Sequence, residues 1–257
     1  PMNGLPTVKI LRAGYENVVA VCPFCEFKNI FNRISDFGTS ELISGRDVSC
    51  LNCLEPFRIT SDSINPQHYK LISDCDELIE RKQYMNCVLN LAQAYEVFFS
   101  LYFRVELLFK PFAHAPNNDI EELNRLNGEL DNRIKTYAFA PMRSLFLRQI
   151  LYGHSPKDLA AAEIVLAGFP ENPRKVKEPR VTDIEEFGDA KLVTLLKAVK
   201  STDIHVLRNR TVHNRAYRPS LKEAEDALDE TKNTLLPLTS HLQIHDDVNY
   251  YMTSRPK

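Results

Sequence analysis

Two Cys-x-x-Cys pairs constrain this 257-residue chain more than any other feature: Cys22-Pro-Phe-Cys25 and Cys50-Leu-Asn-Cys53, with 24 residues between them. Such a turn puts two thiols on one side of a knuckle, and two knuckles complete a tetrahedron of sulfur around a zinc ion. Runs prone to β structure lead into each pair, Asn17–Cys22 and Arg46–Cys50, and Phe57-Arg-Ile-Thr60 follows the second. A segment this short buries too little apolar surface to fold by itself, so the metal is expected to supply much of its folding energy. Two disulfides, or redox chemistry at each pair, are the alternatives. The pairing of the motifs, and the lack of a secretion-signal pattern at the start, favour zinc. Four thiolates leave no open position, so the ion is expected to be structural and no catalytic metal is expected.

After Asn65-Pro66 the texture changes. Only 8 glycines occur in the chain, and segments rich in Leu, Ala, Glu and Lys dominate the remainder. The expected fold is therefore mainly α. A helical bundle over residues 71–257 carries a small N-terminal β domain over residues 1–70. A long central helix is predicted over 76–109, ended by Lys110-Pro111, with a more polar one over 119–138 capped by Asn118. Residues 142–152 form another, and Ser155-Pro-Lys-Asp158 reads as the cap and first turn of a helix that stops at Gly168. A loop with three prolines spans 169–182. Helical pattern resumes at 189–200 and 203–216, and Ser220-Leu-Lys-Glu223 is a capping box opening a last helix that Pro237 kinks. Cys75 and Cys87 fall among apolar residues and are expected to be buried thiols.

The cysteine quartet resembles the zinc-ribbon family, whose members contact nucleic acids or proteins. Charge restrains the first of these uses. Seven Lys and Arg in residues 1–70 meet seven acids, and a four-thiolate zinc centre is itself negative. The whole chain is nearly neutral, at −2, which excludes a globally basic nucleic-acid coat but not a local patch. There is no apolar run of about 18 residues, so no membrane partner is expected and a cytoplasmic location is.

Near the end stands Leu207-Arg-Asn-Arg-Thr-Val-His213-Asn214. It resembles the R-x4–6-H signature of the HEPN superfamily, small helical domains that include many metal-independent ribonucleases. A polar residue commonly follows the arginine in that family, and Asn209 fits. A second match to the spacing, Arg148 to His154, lacks that polar residue. The resemblance implies an endoribonuclease in which His213 handles protons while the RNA 2′-hydroxyl attacks the adjacent phosphate. Arg208 would stabilise the charge on that phosphate, and Asn209 would orient the histidine or substrate. Imidazole and guanidinium suit these roles, the one titrating near neutrality and the other a permanently charged fork. Asn209 and His213 share a helix face, whereas Arg208 and His213 differ by about 140°. Arg208 must therefore reach across, or two copies must combine, and the family commonly forms homodimers that line one groove with both motifs. The resemblance also implies a toxin or antiviral defence effector, with an antitoxin or another defence protein as a partner.

Between residues 190 and 218, seven Lys and Arg face Asp203 alone, and Lys200, Arg210, Arg215 and Arg218 are the expected RNA contacts. Arg174, Lys175, Lys177 and Arg180 in the proline loop extend that stretch. On the central helix, Glu96 is the polar residue that an early helix would lend to the site. An internal network of Glu96, Ser100 and Arg104 is the alternative for it. Tyr217 stands four after His213, not at the two-residue spacing of family members whose tyrosine is modified. The rival function is a non-catalytic adaptor, dimerising or binding RNA through its helical domain while the ribbon recruits a protein. A motif turned into the core would favour it.

Overall fold

Each cysteine pair lies in the turn of an antiparallel hairpin. The structure, a computed structural model, describes residues 17–39, 43, 45–59, 66–115, 119–246, 248 and 251. The chain divides into two units, Pro1–Asn65 and Pro66–Lys257. In the first, β1 (Asn17–Val21) pairs with β2 (Lys28–Asn32), setting Val18 opposite Phe31. Strand β3 (Arg46–Ser49) pairs with β4 (Pro56–Ile59), setting Val48 opposite Phe57. A short helix, α1 (Arg33–Phe37), follows β2, with Asn32 Oδ1 accepting from the Ser35 N–H at 3.1 Å. Val18, Phe31, Ile43 and Ile59 form a small core, too little to offset the ordering of roughly forty residues.

The second unit is helical, and the fold is mainly α with a small two-hairpin β region, as the sequence predicts. Its elements are α2 (Gln67–Glu80), α3 (Tyr84–Arg104), α4 (Lys110–His114), α5 (Ile120–Ile134), α6 (Phe139–Tyr152), α7 (Leu159–Ala167), α8 (Val181–Glu185), α9 (Ala190–Ser201), α10 (Ile204–His213) and α11 (Leu221–His241). Helix α3 is the centre of the unit, with α2, α6, α10 and α11 packed on it. Tyr95, Phe98, Phe99 and Phe103 on α3 are fully buried. Phe146 of α6 meets Phe98 and Tyr102 edge-on, at centroid distances of 5.6 and 4.7 Å. Cys75 and Cys87 are buried in this core, with Cys75 Sγ donating to the Leu71 carbonyl at 3.2 Å. None of the helices is long and apolar enough to cross a membrane among the described residues.

Several helix boundaries depart from the sequence pattern: α2 begins at Gln67, α6 begins at Phe139, α5 ends at Ile134 and not at 138, and α10 ends at His213 and not at 216. Three further departures have a clear local cause. The helix predicted over 76–109 is two: α2 ends at Glu80 and α3 begins at Tyr84. The break is a Schellman turn in which Lys82 takes φ 58°, Lys82 N–H reaches Ile79 O at 2.9 Å and Gln83 N–H reaches Leu78 O at 2.7 Å. Glycine ordinarily marks such a turn, and lysine there hides it. Replacing it removes the left-handed strain, so Lys82→Gly is expected to stabilise the unit by about 0.5–1 kcal/mol. Thermal denaturation should show this as a rise of about 1–4 °C, and an unchanged midpoint would contradict the strain argument.

Pro111 does not end the helix. After Arg104 the chain makes a π-helical turn over Val105–Phe109, in which the Lys110 N–H bonds back to Val105 O. The wider turn leaves Pro111, which has no N–H to give, in the first turn of α4. Helix α7 starts later than expected because Asp158, not Ser155, caps it, accepting from the Ala161 N–H at 2.8 Å. Asp119 likewise caps α5 through Oδ1, while Asn118 lies outside the described residues. The Ser220–Glu223 capping box is formed in both directions, and α11 continues through Pro237.

Candidate metal centre and candidate nucleic-acid interface

The ligand atoms of Cys22, Cys25, Cys50 and Cys53 all lie within 4.8 Å of one another, a cluster able to hold a metal ion. Cys22 Sγ is 3.7 Å from Cys53 Sγ, and Cys25 Sγ is 3.6 Å from Cys50 Sγ. A tetrahedron with metal–sulfur bonds of ~2.3 Å has sulfur–sulfur edges of about 3.8 Å, so the spacing fits an ion and not a disulfide. The two knuckles are built alike. Cys22 N–H donates to Phe27 O at 3.0 Å and Glu26 N–H to Cys22 O at 2.9 Å, while Cys50 and Leu54 repeat the pattern at 2.9 and 3.0 Å. Glu26 and Leu54, each following the second cysteine of its pair, take φ 59° and 65° to close the turns.

Backbone amides aim at the sulfurs. Phe24 N–H donates to Cys22 Sγ and Asn52 N–H to Cys50 Sγ, both at 3.4 Å. Burial pushes the Cys50 thiol up, but the N–H groups of Cys53 and Asn52, with the Asn29 amide and Cys25, outweigh it and hold it at about 6. Cys53 goes the other way. Its hydrogen bond from the Glu55 backbone favours the thiolate, yet burial and the sulfurs of Cys25, Cys22 and Cys50 push it up to about 12. Four thiols this close ionise together only around a cation.

Asn29 is the residue that sequence pattern does not reveal. It is fully buried, and its Nδ2 donates to Phe27 O at 3.1 Å, Ala20 O at 3.4 Å and Cys50 Sγ at 3.6 Å. Its Oδ1 accepts from Leu51 N–H at 2.7 Å. One side chain from the first hairpin thus fixes the knuckle of the second. A polar residue at a β2 position where an apolar one would alternate with Phe31 was the available signal.

In the helical unit, Arg208, Asn209 and His213 are all exposed on α10. Arg208 Nη1 donates to Asn209 Oδ1 at 3.1 Å, so the long side chain bends toward the Asn209–His213 face as the helix geometry requires. Helix α10 packs on α3, and there Arg208 faces the half-buried Glu96. Arg104 does not join Glu96: it crosses to α5, donating to Asn127 Oδ1 at 2.7 Å and pairing with Asp131 at 3.0 Å.

The four cations expected to contact RNA have unequal freedom. Lys200 is largely buried and pairs with Glu178 at 3.0 Å, a carboxylate that also holds Arg143 at 2.9 Å. Arg210 lies over the Tyr217 ring at 4.3 Å, and the Tyr217 hydroxyl donates to Glu223 at 2.6 Å. Arg218 donates to the carbonyls of Arg215 and Tyr217, holding the turn after α10. The Arg215 side chain is exposed and meets no carboxylate among the described residues. His205 is half-buried and stacks on Phe139 at 5.1 Å; burial and then Arg143 lower its pKa.

Glu96 gives a pH signature. Burial raises its carboxyl above the usual range, and the Arg208 guanidinium pulls it partly back. With the folded value raised, Glu96 favours the fold fully below the unfolded value near 4.5, and that contribution is lost as pH rises through the folded one. Glu96→Gln is therefore expected to be more stable than the native protein at pH 7, the gap closing toward pH 4. Denaturation midpoints at both pH values check this, and a destabilised variant at pH 7 would mean that Arg208, not burial, dominates.

Compared with known protein families, with curated proteins and with solved structures, the chain matches none of them.

Proposed function

We propose that the helical unit is a metal-independent endoribonuclease and that the four cysteines hold a structural zinc. One observation carries the first reading: Arg208, Asn209 and His213 stand together on the exposed side of α10, with Arg208 bent onto Asn209 and facing Glu96. A motif turned into the core would have spoken for an adaptor. His213 takes the 2′-hydroxyl proton as that oxygen attacks phosphorus; the bond to the 5′-oxygen breaks, and that oxygen is protonated as it leaves. The products are a 2′,3′-cyclic phosphate and a 5′-hydroxyl. Arg208 carries the developing charge on the phosphate, with Arg215 and the outer faces of Arg210 and Arg218 guiding the strand.

Arg208 and His213 lie about 140° apart on α10, which favours a second copy completing the groove. An effector of defence or a toxin, cytoplasmic and restrained by an antitoxin or a defence partner, follows from the HEPN resemblance. Four soft thiolates in a tetrahedron favour zinc among the common divalent ions. The test is cleavage of labelled RNA in millimolar EDTA. Fragments ending in 2′,3′-cyclic phosphate are expected. Activity seen only with added magnesium, leaving 5′-phosphates, would overturn the mechanism.

A second reading draws on the ribbon. Phe24, Leu51 and Leu54 at the knuckles are 64%, 61% and 75% exposed, which favours a ribbon that recruits a protein. Under the adaptor reading the helical unit would bind RNA and leave it intact.

A further inference from the structure

A groove of about 410 Å³ lies between α6, α7 and the proline loop, formed by residues outside the α10 motif. That volume is in the range of small-molecule sites. Its lining includes Arg148, Lys175 and Lys177 and no carboxylate. All three cations are exposed, and none forms an ion pair among the described residues. Asp183, next to Tyr152, is held by Arg180 at 2.7 Å.

The rest of the lining is not that of a simple anion patch. Tyr152 is half exposed, with the Arg148 guanidinium 5.6 Å from its ring centroid, and Ile164 is 75% exposed on the facing helix. An aromatic plate and an aliphatic one thus stand in water beside three positive charges. Gln149 adds an amide that both donates and accepts. Its place depends on Gly153, where a Cβ would collide with the Gln149 amide and carbonyl. Charge, a flat apolar surface and an amide in one groove match phosphate, base and base edge.

We propose that this groove binds a nucleoside phosphate. Arg148, Lys175 and Lys177 hold the phosphate, the base lies against Tyr152 and Ile164, and Gln149 meets its edge. An acyl chain would need an enclosed apolar tunnel, and free phosphate would leave the two apolar plates without a role. The nucleoside phosphate is either a free nucleotide or one unit of an RNA strand. The proposal stands apart from the ribonuclease reading, since it uses no residue of α10.

The test is calorimetric titration of the full chain with AMP, ATP, inorganic phosphate and an eight-residue RNA. Saturable binding of AMP or ATP, weakened about tenfold or more in Lys175→Glu/Lys177→Glu and in Tyr152→Ala, supports a free nucleotide. Binding of the RNA alone, with the same losses, supports a nucleotide held within a strand. Arg208→Ala is expected to leave mononucleotide binding unchanged, so the outcome is read independently of RNA cleavage. The idea is overturned if nothing binds, if the variants bind as the native chain does, or if phosphate binds as well as AMP and Tyr152→Ala has no effect.

Discussion

Stripping the metal with a strong chelator is expected to unfold residues 17–59 while the thermal transition of the helical unit stays where it was. Among the described residues the β unit has a core of four buried apolar side chains, Val18, Phe31, Ile43 and Ile59. Metal binding in four-ligand zinc domains supplies on the order of 10–16 kcal/mol, against roughly 6–12 kcal/mol from four buried apolar side chains before the cost of ordering the chain. The helical unit draws instead on the aromatic cluster around α3. Limited proteolysis read by mass spectrometry separates the two: new cuts within 17–59, with a protected fragment from about residue 66 onward. Cys50→Ser should reproduce the effect without chelator, because Cys50 is fully buried and receives the Asn52 and Asn29 hydrogen bonds. Asn29→Ala should be milder, weakening metal affinity about 10–100-fold in competition with a chelating dye, as loss of a residue supporting a ligand does. A β unit that stays protected after the metal is gone would refute the claim that the metal folds it.

The metal cluster was legible in the sequence because its geometry is local: two residues between cysteines fix each knuckle, and repetition announces the second. Asn29 escaped because its role joins two hairpins and no spacing encodes it. The helices were legible from apolar period and caps, but their ends were not where a residue took an unusual role. Lys82 fills a glycine position, Asp158 outcompetes Ser155, and a π turn carries the chain past Pro111. At the α10 motif, Arg208 and Asn209 are adjacent in sequence, so their contact was within reach. The approach of Arg208 to Glu96 depends on how α10 packs on α3, which only the tertiary fold decides. The same holds for the charge count. Seven cations near the motif looked like one patch, yet Glu178 neutralises Lys200 from the proline loop and Tyr217 draws Arg210 toward α11.

His213→Ala is expected to lower RNA cleavage about 10²–10⁴-fold, the usual contribution of a general acid–base group. Arg208→Ala should cost about 10²–10³-fold, or roughly 3–4 kcal/mol of transition-state stabilisation, as loss of an electrostatic donor does. Arg208→Lys keeps the charge but loses the planar fork, so it should fall between the native protein and the alanine variant. Neither side chain is buried, and both replacements should leave stability within about 0.5 kcal/mol, so lost activity cannot be assigned to unfolding. If the two residues act on one phosphate, the double variant should be little worse than His213→Ala alone, since groups that act as a unit are not additive. The shared groove has its own readout. Mixing His213→Ala with Arg208→Ala protein should restore part of the activity if each copy lends one residue to a joint site, and none if each copy works alone. Single-turnover cleavage of one labelled RNA measures all five cases. Full activity in both alanine variants would remove the motif from catalysis and leave the adaptor reading in its place.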